Sequence, residues 1–436
     1  MKGIHVPDGV SRMPAGFLLP LLLALGCADR VEETRDNDRN LTNNTASFIY
    51  NVIPQDASAR ISPEYSKAIN TFAVNLLGEV YRDSGFTDAN LVLSPFSVAR
   101  NLAVLTEATS GESRKELLEA LGGETALSDA KDALSKLLYA DNSVILQCAD
   151  ALWFDSVTYA LKAPFRSLVN TKYGVEVAGQ DFTDASRAVR TINSWINDNT
   201  NGCIDDVLAA GDITNETAAF LVNAIYFEAD WASPFDISET EKQDFFAPGG
   251  VVKVDMMSSE YTHETRSTES CENARLYYGT DEKDFFYLDI YMPTAGSIES
   301  FLRDSALSVL SDPDPADYGS VAIPRFFFTT EIELIPVLKK LGVKRIFDPS
   351  TAEITGMLEG PGAGKLCVDM VKHSAGIETD EEGTKAYATT VSAVAAKAAE
   401  PDTDVFFDAP FVYFLRAGAN GLVLFAGVVN NPAKTG

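Results

Sequence analysis

Apolar residues recur at helical spacing through the first third of the chain. In SKAINTFAVNLLGEVYR, residues 66–82, Ile69, Phe72, Leu76 and Val80 fall on one face of a 3.6-residue repeat and predict a helix. SPFSVARNLAVLTEA, residues 94–108, opens on Ser94, whose hydroxyl can accept from a free first-turn amide, with Pro95 in the first turn. SGESRKELLEALGG, residues 110–123, repeats the logic: Ser113 is the expected cap ahead of Leu117 and Leu118, and Gly122 the expected stop. After residue 142 the pattern changes to short apolar runs that predict strands: NSVILQCADALWF, AAFLVNAIYFEA, SVAIPRFFF, KLCVDMVKHSAGIET, DVFFDAPFVYFLRAG and GLVLFAGVVNN. Helical patches interleave at ASRAVRTINSWINDNT and EIELIPVLKKLGV. Helices first and strands afterwards predict an α+β domain with large, mainly antiparallel or mixed sheets. From about residue 61 to 436 no linker or repeat interrupts this pattern, so a single domain is expected there.

The N-terminal region differs. Residues 1–27 have a sparse basic start, Lys2 and Arg12, followed by PAGFLLPLLLALGC. The apolar run is too short and too Pro-broken for a spanning helix and predicts a secretory signal. LALGC resembles a bacterial lipoprotein box, with Gly26 before the cut and Cys27 carrying the lipid; the alternative is ordinary cleavage, with Cys27 an incidental thiol. Residues 28–60 are polar, mixed in charge and without apolar periodicity, a composition expected to form a disordered tether. Together these features predict an extracytoplasmic protein, secreted or lipid-anchored to a bacterial envelope.

Charge narrows the partners. A formal net charge of −28 and a pI near 4.4 argue against nucleic acid or anionic lipid, because phosphate would be repelled over most of the surface. Membrane contact is expected only through the lipid.

Catalytic motifs are scarce. The three histidines are His5, inside the leader, His263 and His373. His263 lies in YTHETRSTES, which is not HExxH, and the chain has no GxSxG elbow. DNDRNL, residues 36–41, begins like a calcium loop but places Leu41 where the turn glycine must be. EGPGAGK, residues 359–365, fails as a phosphate loop, because Glu359 replaces the first glycine and Leu366 the magnesium-binding hydroxyl. Cys148, Cys203, Cys271 and Cys367 are widely spaced and predict buried free thiols. The chain is therefore expected to act by binding, not as an enzyme, with no cofactor and no metal.

Several of these segments together resemble the serpins, a family of protease inhibitors. The resemblance runs through NLVLSPFSVARNLAVLTEATSGESRKEL (90–117), INSWINDNTNGCI (192–204), LVNAIYFEADWASPF (221–235), Met256-Met257, VAIPRFFFTTEIELIPVLKKLGVKRIFD (321–348), VKHSAGIETDEEGTKAYA (371–388) and FDAPFVYFLRAGANGLVLFAGVVNNP (407–432). It implies three β-sheets, eight to nine helices and an exposed reactive-centre loop, here about residues 380–404. In such proteins a target protease cuts the loop, and the loop then enters the central sheet as a new strand before the acyl-enzyme can hydrolyse. The protein is expected to act as a monomer.

A segment that is first bait and then a buried strand must carry small, uncharged residues at every second position. From Thr384 the inward register reads Thr384, Ala386, Ala388, Thr390, Ser392 and Val394. The other register reads Lys385, Tyr387, Thr389, Val391 and Ala393, and can stay outside. Glu381, Glu382 and Gly383 complete the expected hinge, with Gly383 supplying backbone freedom. Lys385 stands where the family usually has an acidic residue and Tyr387 where it has Ala. Both fall on the outward register, so the expected consequence is slower or altered insertion.

Counting about fourteen residues from Gly383 puts the reactive bond at Lys397-Ala398, suited to a trypsin-like pocket. Counting back from Pro410-Phe411 gives Ala399, and Ala396 with Ala399 would suit elastase-like or subtilisin-like enzymes. Cysteine proteases are a further target class, since they too pass through an acyl intermediate. The resemblance also implies a sheet-opening cluster of Ser94, Ser97, Asn223 and His373, with Trp231 near the point where insertion begins. The competing readings are a non-inhibitory serpin-fold binding or chaperone-like module, which the small inward register disfavours, and a secreted hydrolase using His373.

Overall fold

The computed structural model describes residues 61–82, 88–140, 143–199, 208–214, 216–259, 263–279, 285–311, 317–384 and 404–434, with a two-residue strand at Pro20–Leu21. Cys27, the 28–60 tether, Cys203 and the loop positions Ala386, Ala388, Thr390, Ala396, Lys397, Ala398 and Ala399 lie outside the described residues.

Helix Pro63–Arg82 buries Ile69, Phe72, Leu76 and Val80, the stripe its spacing predicts. Helix Pro95–Ala108 is buried on nearly every side, as befits a helix through the middle of a domain. Ser94 is its N-cap and accepts from the Ser97 amide at 3.2 Å. The third helix corrects the expectation. It spans Gly111–Leu121 with Ser110 as N-cap, and Ser113 is buried inside it. Its first turn is satisfied from far along the chain: Glu353 Oε2 accepts from the Ser113 amide at 3.0 Å, and Ser113 Oγ accepts from the Glu353 amide at 3.1 Å. Gly122 ends the helix at φ +84°, as predicted.

Among the described residues there are three main sheets, with a two-stranded ladder of Ala160–Leu161 and Leu358–Glu359 besides. Among the described residues there are ten α-helical segments, more than eight or nine, because pieces as short as Thr125–Ser128 stand alone. Two predicted strands are redrawn. SVAIPRFFF divides at Arg325, whose amide donates to Asp255 O at 2.8 Å, so Val321–Pro324 joins the four-stranded sheet and Phe326–Glu333 the eight-stranded one. KLCVDMVKHSAGIET is a strand only over Lys372–Thr379. The helical reading of EIELIPVLKKLGV holds from Ile335, residues 331–333 being the end of the preceding strand.

The eight-stranded sheet positions the site. Strand Val144–Asp155 pairs antiparallel with Ala219–Asp230, and Phe326–Glu333 with Lys372–Thr379. Among the described residues Ala219–Asp230 and Lys372–Thr379 do not pair with each other. Between them lies the short backbone of Pro20–Leu21, from within the expected leader, with Leu21 facing His373 on one side and Asn223 on the other. The middle of the sheet is thus a one-strand slot whose edges are in defined register.

Candidate functional site

The upper end of the slot is closed by a reverse turn. The Asp380 amide donates to Gly383 O at 3.0 Å, while the Asp380 carboxylate accepts from the Glu382 and Gly383 amides at 2.9 and 3.1 Å. The turn sends Gly383–Thr384 antiparallel along Ala219–Asp230, Gly383 facing Asp230 and Thr384 facing Ala229. The hinge has therefore already begun the new strand. Gly383 is required for a reason other than the expected one: its φ is not positive, but a Cβ there would sit 2.1 Å from the Ala229 carbonyl oxygen. Thr384 is fully buried, and its hydroxyl lies 2.7 Å from the phenolic oxygen of Tyr278.

Two side-chain clamps hold this turn. Trp231 stacks on Tyr278 with ring centroids 4.4 Å apart, and its indole N–H donates to Asp380 O at 2.9 Å. The Trp231 and Phe235 amides donate to Glu382 O and Glu381 O, each at 2.9 Å. Glu381 is buried, and its Oε1 accepts from Arg325 Nε at 2.8 Å and from Thr240 Oγ1 at 2.5 Å. Trp231 thus belongs to the hinge, as expected, and apart from the other four residues predicted to control opening.

Of those four, Asn223 and His373 lie lower on the two edges of the slot, and Ser94 and Ser97 at the N-terminus of helix Pro95–Ala108. The Ser94 amide donates to His373 Nε2 at 3.0 Å, and Ser94 Oγ donates to Leu424 O at 2.8 Å with Ser97 Oγ 3.1 Å away. Asn223 looks elsewhere: its Nδ2 donates to Asp150 Oδ1 at 2.6 Å and lies 3.3 Å from Cys148 Sγ, while Asp150 is ion-paired with the buried Arg100. His373 Nδ1 and Asn223 Oδ1 are buried without a hydrogen-bond partner. Burial pushes the His373 imidazole down to about 3, so it is neutral at physiological pH. The unmet nitrogen and the unmet oxygen belong to residues on the two strands that border the slot.

Pattern reasoning missed Tyr278, Arg325, Thr240 and Asp150. Each meets the site from a distant segment, and no local spacing marks it. Glu378 is a further addition, with its Oε2 buried and unpartnered. Burial, then the neighbouring Asp380 charge, raise its carboxyl to about 7.

Both His263 and His373, the histidines outside the leader, are buried. His263 lies 2.8 Å from the Ser259 hydroxyl, but both are buried, and burial pushes the imidazole down to about 4. Among the described residues no group of three or more His, Cys, Asp or Glu side chains is placed to hold a metal ion. Cys148, Cys271 and Cys367 are free thiols, the first two buried and Cys367 partly exposed.

The family model described as Serpin (serine protease inhibitor) matches residues 67–432. Among curated proteins the chain is 30% identical over 382 residues to Serpin-Z2B of Triticum aestivum, covering 83% of this chain and 94% of that one. It is 29% identical over 367 residues to Serpin-Z10 of Arabidopsis thaliana, covering 79% and 92%. Among solved structures, AtSerpin1 of Arabidopsis in its native stressed conformation superposes with a TM-score of 0.75 at 26% identity, covering 86% of this chain and 99% of that one. With the slot, the hinge and the length of the match in agreement, the chain belongs to the serpin family of serine protease inhibitors.

Proposed function

We propose that this protein inhibits its target as a suicide substrate, and that the described hinge is the start of the inserting strand. One observation carries the reading. Extending the Gly383–Thr384 register down the slot brings Ala386 beside Phe227, Ala388 beside Ile225 and Thr390 beside Asn223. On insertion, the register set by the 380–383 turn would bring the same Thr390 opposite His373. Its hydroxyl, both donor and acceptor, would then reach the two unmet atoms, Asn223 Oδ1 and His373 Nδ1.

Attack on the loop by the protease forms an acyl-enzyme. Insertion carries the tethered enzyme away before water completes the cycle. About a dozen new strand hydrogen bonds at roughly 1 kcal/mol each give a driving force on the order of 10 kcal/mol. The uninserted form is then held by a barrier, not by depth.

Lys397-Ala398 is the preferred bait, which makes trypsin-like enzymes the first candidates; Ala396 and Ala399 define the elastase-like alternative. Gly26-Cys27 supports a lipid-anchored, extracytoplasmic protein, checked by the mass of the Cys27 peptide. The test of inhibition is to mix the protein with trypsin and, separately, with an elastase. The proposal requires a covalent complex that survives denaturation, with a released peptide beginning at Ala398 for trypsin. Clean cleavage by both enzymes without a complex would favour the non-inhibitory binding reading.

A further inference from the structure

We infer that the ion pair between Asp212 and Lys372 is a latch across the lower end of the slot, tying the segment that covers one edge strand to the other edge strand. Its consequence for inhibition rests on the insertion proposed above; the latch itself does not.

One edge of the slot carries a cover. Along Val144–Asp155 and Ala219–Asp230 alternate residues point to opposite faces. Leu152, Ile225 and Phe227 belong to the main core, whereas Trp153, Phe220 and Val222 form a separate buried cluster with Ile192 and Ile196 of helix Ala185–Asn199 and with Leu208. The helix therefore lies on the face of the sheet away from the main core, over one side of the slot. Leu208 is pinned to it twice: Asn193 Nδ2 donates to Leu208 O at 3.0 Å, and the Leu208 amide donates to Asn193 Oδ1 at 2.9 Å. The short helix Ala210–Asp212 follows.

Lys372 reaches this segment from the other edge. Leu21 faces both Asn223 and His373, so Lys372 stands level with Val222, one strand apart, and shares its face. Lys372 Nζ donates to Asp212 Oδ1 at 3.2 Å, while Asp212 Oδ2 accepts from the Ala209 amide at 2.9 Å. Glu333, directly opposite Lys372 on the next strand, turns its carboxylate to the Val371 and Ile335 amides, at 2.8 and 3.2 Å. The Asp212 and Lys372 side chains are 14% and 28% exposed, so solvent and salt screen the pair only in part. Two residues before Lys372, Met370 packs against the same cluster under the helix. The edge strand is thus tied to the cover by one apolar contact and one charged one. Since the main core fills the other face, a strand seated at this level has to enter from the covered side, and it meets the ion pair there.

Two near-isosteric variants test the latch. Lys372→Gln removes the cation, and Asp212→Asn removes the anion while keeping an oxygen for the Ala209 amide. These and the double variant are made in the full-length protein, and backbone amide hydrogen exchange is followed along both edge strands. Each single variant should speed exchange about two- to fivefold at residues 221–224 and 371–374, with residues 227–230 and 376–379 unchanged. The double variant should exchange no faster than either single one, because the second change removes nothing further. Added sodium chloride should speed exchange at the lower end of wild type and leave the variants as they are. Unchanged exchange in a single variant, additive effects in the double, or equal acceleration at both ends of the slot overturns the latch. With trypsin, the variants should turn a larger share of cut molecules into covalent complex. No complex from wild type or any variant overturns insertion, while the exchange pattern still decides the latch.

Discussion

The hydroxyl of Thr384 lies 2.7 Å from that of Tyr278, in a buried contact made by the second residue of the Gly383–Thr384 hinge strand. This contact fixes Thr384 as inward-facing. Tyr278→Phe keeps the ring stack on Trp231 but removes the hydroxyl. It should lower the intact protein's stability by about 1 kcal/mol, a drop on the order of 1–2 °C in melting temperature. An unchanged melting temperature would mean the contact contributes nothing to holding the hinge.

Replacing Thr384 by a charged residue should convert inhibitor to substrate. Burying an unpaired guanidinium at this position opposes insertion by several kcal/mol. Thr384→Arg is expected to be cut at the normal rate and to form little or no covalent complex with trypsin. Complex yields equal to wild type would show that trapping does not require a small, uncharged residue at this position.

Gly383→Ala should drive the hinge out of the sheet, since its Cβ would collide with the Ala229 carbonyl. The indole of Trp231 donates to the carbonyl of Asp380 within the same turn, so its emission is a local reporter. A shift in tryptophan fluorescence together with a loss of about 1–3 kcal/mol is expected. Neither change would be seen if the turn could absorb a methyl group.

Acid should weaken the intact protein through His373. Its pKa is depressed to about 3 by burial, below the value near 6.5 of the unfolded chain. Between these limits the unfolded state binds a proton that the folded state does not, so stability falls as pH drops below about 6.5. His373→Gln should flatten that part of the melting curve against pH, relative to wild type. His263 contributes in the same direction and is unchanged in the comparison. Parallel profiles for the two proteins would contradict the assignment.

Glu378 acts with the opposite sign. Its pKa is raised to about 7 by burial and by Asp380, so the protonated form favours the folded state and that contribution is lost as pH rises from about 4.5 through 7. Glu378→Gln should match wild type near pH 4 and exceed it in melting temperature near pH 8. Equal melting temperatures for the two proteins at pH 8 would contradict the assignment.

The inward facing of Thr384 was legible in the sequence because strand alternation depends only on neighbouring residues. Helix Pro63–Arg82 and the stop at Gly122 were legible for the same reason. What escaped depended on distant partners. Ser113 reads as a cap until Glu353 arrives to satisfy the turn it sits in. SVAIPRFFF reads as one strand because nothing within it announces that Arg325 will be taken by Asp255 O and Glu381. Gly383 was read as a flexible hinge, whereas the passing Ala229 carbonyl is what excludes a side chain there.

The account stands or falls on whether the cut loop enters the slot. Thermal unfolding of the intact protein and of the same protein nicked in its loop measures this directly. Insertion predicts a rise on the order of 10–20 °C after cleavage, from a driving force of roughly 10 kcal/mol spread over a domain of this size. A nicked protein that melts at or below the temperature of the intact one would contradict it.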